Sequence, residues 1–172
     1  MKPKTAAAWT TALFLACAPG VVAGLGPWTI THWHVRRHGL VWLPLQAGGI
    51  LITVLGAIVL LASFLRFVTE GVGTPAPIAP TEQLVVGGLY RYVRNPMYVA
   101  VTLVIVGQAA VLTDPRLVIY AVAFAVVVAL FVHHYEEPTL HDRYGTHYDA
   151  YRHDVPRWWP RRPRDTGTAR PS

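Results

Sequence analysis

The chain has 172 residues, of which 53% are hydrophobic and only 14% are charged, and its formal net charge is +6. Soluble domains carry about 25% charged residues, and disordered chains are poor in apolar residues. The composition therefore excludes disorder and argues against a soluble enzyme, and the single cysteine, Cys17, excludes a disulfide-stabilised scaffold. What remains is an integral membrane protein.

Four apolar blocks follow one another along the chain, at residues 6–26, 41–68, 96–113 and 117–135. A membrane-spanning helix needs about 20 mainly apolar residues, so we expect an all-α, polytopic membrane bundle with four transmembrane helices. The first block also resembles a secretory signal that would be cleaved near Ala23. Because three more blocks follow it, we expect the first block to be retained as a span.

The last two blocks are joined by a short turn, Thr113-Asp114-Pro115-Arg116. A connection of this length predicts that the two helices are antiparallel neighbours. The predicted spans divide the chain into three parts, of which the first, residues 1–68, is expected to form a two-span hairpin. Residues 69–160 carry a loop, the second hairpin and a C-terminal amphipathic helix, and residues 161–172 form a polar tail.

The positive charges are distributed unequally between the two sides of such a bundle. With four spans, both termini and the loop at residues 69–95 share one side, which holds all the lysines and arginines except Arg36, Arg37 and Arg116. Lysine and arginine prefer the cytoplasmic side, so both termini are expected in the cytosol. A basic cytoplasmic face suits anionic membrane lipids, and no nucleic-acid partner is expected.

The third block begins at a motif that favours ligand binding. Asn95 is a good helix N-cap and Pro96 suits the first helical position, while Arg94 lies just outside the helix. An arginine beside a helix N-terminus forms a corner that binds carboxylate or phosphate. Anchoring of a helix end at the membrane surface explains Arg94 equally well.

The fourth block ends at two adjacent carboxylates, Glu136 and Glu137. Glutamate is unfavourable at a helix C-terminus and costly near the membrane core, so this pair indicates a site. A structural ion pair with Arg91 or Arg94 is the alternative. Because the residue before a proline is disfavoured in a helix, Pro138 predicts a break at Glu137, which would turn inward.

An amphipathic helix is predicted after Pro138. Its apolar stripe repeats at helical spacing and consists of Leu140, Tyr144, Tyr148, Tyr151 and Val155. Such a helix lies in the membrane interface or packs on the bundle. The eight histidines form no ligand pattern, so no metal site is expected. Hydrolase, phosphate-loop and dinucleotide-binding motifs are absent from the sequence.

Two ordered motifs resemble the isoprenylcysteine carboxyl methyltransferase family, which is related to the membrane phospholipid N-methyltransferases. The first motif is Gly88-Leu89-Tyr90-Arg91-Tyr92-Val93-Arg94-Asn95-Pro96-Met97-Tyr98. The second is Glu136-Glu137-Pro138-x-Leu140, followed by Tyr144-Gly145, Tyr148, Tyr151 and Val155-Pro156-Arg157. The resemblance covers residues 71–160. Asn95 departs from the family, in which many members have histidine at that position.

The resemblance implies S-adenosylmethionine-dependent methyl transfer. By motif match, the cofactor is flanked by Arg94, Pro96 and Tyr98, with Tyr90 and Tyr92 nearby. Glu136 and Glu137 would accept hydrogen bonds from its ribose hydroxyls or its amino group. Arg94 and Glu137 are the residues expected to matter most for activity, with Glu137 the stronger cofactor contact of the two carboxylates.

The acceptor is expected to be lipid-attached or apolar and to enter from the bilayer. No residue is an evident general base, which favours an acceptor that is already anionic, such as a carboxylate. Arginine outnumbers lysine 13 to 2, a composition typical of a GC-rich bacterium, so the inner (plasma) membrane is the expected location. Phospholipid N-methylation, an NADPH-dependent membrane reductase and a non-catalytic membrane scaffold are the alternatives.

Overall fold

The computed structural model describes residues 18–70 and 84–162, and the side chains of residues 67–70 are not described. Throughout these two ranges the regular secondary structure is helical and contains no strand. The expected all-α fold is therefore confirmed for the described residues. Most of the first apolar block, residues 71–83 of the middle loop and the tail from residue 163 lie outside the described residues.

Six α-helices are described, together with short 3₁₀ and π-helical turns. A π turn at Val21–Leu25 leads into α1, and 3₁₀ turns lie at Leu40–Trp42 and Gly88–Arg91. A second π turn at Val132–Glu136 connects α4 to α5. The α-helices are α1 (Gly26–Thr31), α2 (Leu43–Glu70), α3 (Pro96–Leu112), α4 (Pro115–Phe131), α5 (Glu137–Tyr144) and α6 (Thr146–Asp154).

Two helical runs are long and apolar enough to cross a membrane, Leu40–Arg66 and Pro115–Tyr144, and Pro96–Leu112 is a shorter apolar helix. Large apolar side chains on the long runs are exposed, among them Ile119 at 71% and Val127 at 64%. Soluble monomers rarely expose such surfaces over a wide area, so lipid is their natural environment. The four-span arrangement stays a prediction, and α1 extends to Thr31, beyond the expected end of the first span.

Helices α2 and α3 approach closely because glycines face each other at their contact. The carbonyl oxygen of Gly107 lies 2.7 Å from the point that a β-carbon on Gly49 would occupy. The carbonyl oxygen of Ala100 lies 3.0 Å from the point that a β-carbon on Gly56 would occupy. Small residues allow this approach, and in lipid the resulting van der Waals contact drives helix association. Backbone contact of this kind leaves no room for a side chain at Gly49.

Adjacent glycines of α2 provide a matched test of this packing. We expect Gly49→Ala to destabilise the protein by about 1–3 kcal/mol, because the new methyl group meets the α3 backbone. Gly48→Ala, whose β-carbon would meet nothing within 4 Å, is expected to be neutral or to stabilise by about 0.5–1 kcal/mol. Thermal unfolding of both variants in detergent measures the difference, and equal effects would contradict the close α2–α3 contact.

The predicted α3–α4 hairpin is confirmed. Helix α3 ends at Thr113 in a left-handed conformation (φ 52°), and Asp114 caps α4 by accepting a hydrogen bond of 3.0 Å from the amide of Arg116. Two side chains of this hairpin hold the π turn at Val21–Leu25 through its carbonyl groups. Gln108 donates to the oxygen of Ala23 (2.8 Å), and Tyr120 donates to that of Val22 (2.9 Å).

The predicted helix break at Glu137 is wrong. The helical run continues from Pro115 to Tyr144, and Glu137 has helical dihedrals (φ −63°, ψ −44°). The π turn at Val132–Glu136 widens the helix just before Pro138, which relieves the clash between the proline ring and the preceding turn. The chain breaks instead at Gly145 (φ 52°), where the predicted amphipathic helix divides into α5 and α6.

Candidate functional site

The predicted site residues converge where α3 begins and α4 passes into its π turn, which we call the Pro96 end of the bundle. The α3–α4 hairpin makes the two helices antiparallel, so Arg94 and Glu137 meet although 43 positions separate them. Nη1 of Arg94 donates to Oε1 of Glu137 at 2.7 Å. Little of either side chain is exposed, 10% for Arg94 and 8% for Glu137.

A second arginine, Arg157, completes the environment of Glu137. Its Nε donates to Oε1 at 2.9 Å and its Nη2 to Oε2 at 2.5 Å. This two-pronged geometry is the strong form of a carboxylate–guanidinium contact. Two guanidinium groups thus share one buried carboxylate, and the group of three residues keeps one unit of positive charge. We call Arg94, Glu137 and Arg157 the charged triad.

Glu136 lies beside the charged triad but has a different partner. Its Oε2 accepts a hydrogen bond of 3.0 Å from the hydroxyl of Tyr98 on α3. Neighbouring helical residues point about 100° apart, which separates the surroundings of Glu136 from those of Glu137. Glu136 is half-buried and Glu137 is buried, so Glu136 is the carboxylate that a ligand reaches more easily.

The segment after α6 brings Arg157 into the site by pairing with the chain ahead of α3. The amide of Arg94 donates to the carbonyl of Pro156 (2.9 Å), and the amide of Arg161 donates to that of Tyr92 (3.0 Å). Helix α3 begins at Pro96 as predicted, but the side chain of Asn95 does not cap it. The Asn95 amide instead donates to the carbonyl of Arg157 (3.2 Å).

Three tyrosines lie beside the site, Tyr148 and Tyr151 on α6 and Tyr90 in the 3₁₀ turn at Gly88–Arg91. The hydroxyl of Tyr148 accepts a hydrogen bond of 3.3 Å from Arg94, and that of Tyr151 donates to the carbonyl of Tyr90 (2.8 Å). Burial raises the pKa of all three hydroxyls. They therefore stay protonated at neutral pH and act as hydrogen-bonding groups, not as bases. Tyr148 and Val155 are buried, so the apolar stripe predicted after Pro138 packs on the bundle at these residues.

The structure brings together Arg94, Tyr98, Glu136 and Glu137 from the predicted set. Of the others, Tyr90 and Pro96 are buried in packing, and Tyr92 is exposed. The sequence predicted no contact with the site for Arg157 or for Tyr148, which was assigned to the apolar stripe, although both belong to the second motif. In the part of the chain that the structure describes, no three His, Cys, Asp or Glu residues are grouped so as to hold a metal ion.

One donor at the site has no partner. The Nε of Arg94 is buried and makes no hydrogen bond within the described residues, and such an orphaned donor is costly unless a ligand satisfies it. An oxyanion fits this donor and the positive charge of the triad. The carboxylate of Glu136 fits a hydroxyl or cationic group. The Pro96 end can therefore bind an anionic group at Arg94 and a cationic or hydroxyl group at the neighbouring Glu136.

The comparisons with known proteins point to one family. A family model described as phospholipid methyltransferase matches residues 45–147. This range runs from α2 into α6 and includes Arg94, Glu136 and Glu137, and it ends before Arg157. Neither the curated proteins nor the solved structures yielded a match.

Proposed function

Because the chain belongs to the phospholipid methyltransferase family, we propose that it transfers a methyl group from S-adenosylmethionine to a lipid-attached or apolar acceptor. The family and the two long apolar helices make it a membrane methyltransferase. The resemblance of its motifs to the isoprenylcysteine carboxyl methyltransferases supports the finer assignment, in which the acceptor is a carboxylate.

The proposal rests on one observation: the positively charged triad and the carboxylate of Glu136 lie side by side at the Pro96 end. S-adenosylmethionine has a carboxylate, an ammonium group, a sulfonium centre and two ribose hydroxyls. Arg94, with its unpartnered Nε, suits the carboxylate. Glu136, oriented by Tyr98, suits the hydroxyls or the ammonium group. The donor set at the Pro96 end therefore fits this cofactor.

The remaining predicted residues have supporting positions in this proposal. Glu137 orients Arg94 through their ion pair, and Pro96 begins α3 two residues after Arg94. Tyr90 braces Tyr151, and Tyr92 lies at the rim. When bound, the cofactor supplies an activated methyl group, and the protein contributes proximity and orientation to an in-line displacement.

The acceptor chemistry separates two candidate reactions. A carboxylate acceptor is ionised at neutral pH and needs no base, which suits a site whose tyrosines stay protonated. Phospholipid N-methylation, which is also compatible with the family description, requires an amine to lose its proton first. The histidines closest in sequence to the two glutamates, His133, His134 and His141, are exposed, and His141 contacts Asp149 at 3.1 Å. We therefore favour the carboxylate.

We also propose an orientation of the chain in the membrane. Arginines are concentrated at the Pro96 end, among them Arg91, Arg94, Arg157, Arg161 and Arg162. The preference of arginine for the cytoplasmic side supports placing this end in the cytosol. Both termini would then be cytoplasmic, in the plasma membrane of a bacterium, and the acceptor would reach the site from the bilayer.

A binding experiment distinguishes the proposed reaction from its alternatives. We expect the purified chain in detergent to bind S-adenosylmethionine saturably and to show no binding of NADPH, measured by isothermal titration calorimetry. S-adenosylhomocysteine, which lacks the methyl group and the sulfonium charge, is a matched third ligand. Binding of NADPH alone would replace the methyltransferase with a reductase, and binding of neither would favour a scaffold.

A further inference from the structure

The opposite end of the bundle carries a second ordered group of charged side chains. Helix α3 has 17 residues and rises about 1.5 Å per residue, so this Thr113 end lies about 25 Å from the Pro96 end. The buried carboxylate of Asp114 is its centre. Arg116 Nη2 lies 2.6 Å from Asp114 Oδ2, and Arg36 Nη1 lies 3.5 Å from Oδ1.

The arginines are held in place by the end of α3. The amide of Arg36 donates to the carbonyl of Leu112, and the amide of Arg37 to the hydroxyl of Thr113, both at 2.9 Å. The guanidinium of Arg37 lies 4.7 Å from the ring centre of Trp42, a cation–π contact. The loop that carries Arg36 and Arg37 is therefore fixed, and little entropy is lost when a ligand binds it.

The group has a surplus of positive charge. Arg36 and Arg116 contact the single carboxylate of Asp114, and Arg37 follows Arg36 in the same loop. The Asp114 side chain is fully buried, while those of Arg36 and Arg116 are about half exposed at 51% and 52%. We call Arg36, Arg37 and Arg116 the outer arginines. Guanidinium groups bind phosphate in a planar, two-pronged geometry. The outer arginines are the very residues that depart from the charge bias of the rest of the chain.

An apolar cleft adjoins the outer arginines. It has a volume of about 220 Å³ and lies between α2 and α3, and its lining residues are Trp33, Ile50, Thr53, Val54, Gln108, Val111 and Leu112. Leu112 links the two features, because its carbonyl accepts the bond from Arg36. Ile50 and Val54 are 55% and 49% exposed, so the cleft opens sideways toward the surface that faces lipid. We call it the lateral cleft.

We propose that the Thr113 end binds one anionic phospholipid, whose phosphate contacts the outer arginines while one acyl chain occupies the lateral cleft. A zwitterionic lipid brings an ammonium group that the surplus positive charge repels, so charge complementarity selects an anionic headgroup. This lipid is bound about 25 Å from the cofactor site, as estimated from the helical rise, and is a partner of the fold and not the methyl acceptor.

Lipid titration of the purified chain in neutral detergent tests the proposal. We expect phosphatidylglycerol to raise the unfolding temperature and phosphatidylcholine with the same acyl chains to raise it far less. The double variant Arg36→Gln/Arg37→Gln should weaken the apparent affinity for phosphatidylglycerol about 30-fold, because each arginine contributes about 1 kcal/mol.

The control is the double variant Arg161→Gln/Arg162→Gln. It removes the same charge at the Pro96 end and should leave the affinity for phosphatidylglycerol unchanged. Equal stabilisation by the two lipids, or equal loss in the two double variants, would overturn the proposal.

The role of the lateral cleft has its own variant. Ile50→Trp fills the cleft from its exposed side without touching an arginine, and it should weaken phosphatidylglycerol binding at least several-fold. Inorganic phosphate alone, at millimolar concentration, should not raise the unfolding temperature. Unchanged binding by the Ile50→Trp protein, or full stabilisation by inorganic phosphate, would show that no acyl chain is bound and would overturn the proposed lipid site.

Discussion

Glu137→Gln is expected to lower the free energy of unfolding by about 3–5 kcal/mol in the absence of any ligand, the range for removal of one partner of a buried ion pair. The variant keeps the shape of the side chain and removes its charge, which leaves Arg94 and Arg157 without their shared carboxylate. The Arg94 side chain is only 10% exposed, so little of its charge would be compensated by water. Chemical or thermal unfolding of the purified protein in detergent measures the loss.

Glu136→Gln is the matched control for this prediction, since it makes the same chemical change one residue earlier. Among the described residues its carboxylate has one hydrogen-bond partner, Tyr98, which can also donate to a glutamine oxygen. We therefore expect stability without ligand to stay nearly constant and cofactor affinity to fall. The reverse pattern, with Glu137→Gln stable but unable to bind S-adenosylmethionine, would make Glu137 the stronger cofactor contact, as the helix break expected before Pro138 suggests.

Arg94→Lys is expected to weaken S-adenosylmethionine binding by about 2–5 kcal/mol, the cost of truncating a desolvated charged contact. Lysine keeps the charge and can still pair with Glu137, but it has no Nε and cannot bind a carboxylate with two prongs. The Nε of Arg94 is the buried donor without a partner, so the substitution removes the group assigned to the ligand. Calorimetric titration of the folded variant measures the effect.

Arg91→Lys is the control for this substitution, because Arg91 precedes the same helix but its side chain is exposed. Its affinity for the cofactor should match that of the unchanged protein. If Arg94→Lys also bound with unchanged affinity, Arg94 would serve only to anchor the helix end and to neutralise Glu137. The proposed placement of the cofactor carboxylate would then be wrong, while the membership of the family would stand.

Local sequence rules predicted the α3–α4 hairpin correctly because its signals act within a few residues. Proline at a first helical position predicts the start of α3 at Pro96, and the helix begins there. Helix α4 begins at Pro115, two residues before the apolar block from which it was expected. The structure adds a cap at Asp114, which accepts a hydrogen bond from the amide of Arg116. The antiparallel arrangement follows from the short turn, and with it the approach of Arg94 to the two glutamates.

The same kind of rule failed at Pro138, where the expected break does not occur. The local preference against a helical residue before proline is real, but it competes with the burial of Glu137 between two arginines. A continuous helix with a π turn keeps Glu137 facing Arg94. The contacts of the whole bundle outweigh the local preference here, as tertiary packing often does. Gly145, which accepts a positive φ without strain, ends the helix instead.

By itself the sequence determined the membrane class, the helical fold and the residue types of the site, because composition, apolar length and motif spacing are properties of the chain alone. Only the tertiary structure decided which carboxylate is held by arginines and which is left accessible. Arg157 lies 20 positions from Glu137, and Arg94 lies 43 positions away. These contacts form because the segment after α6 folds back along residues 92–95. A pattern of neighbouring residues does not predict such a long-range contact.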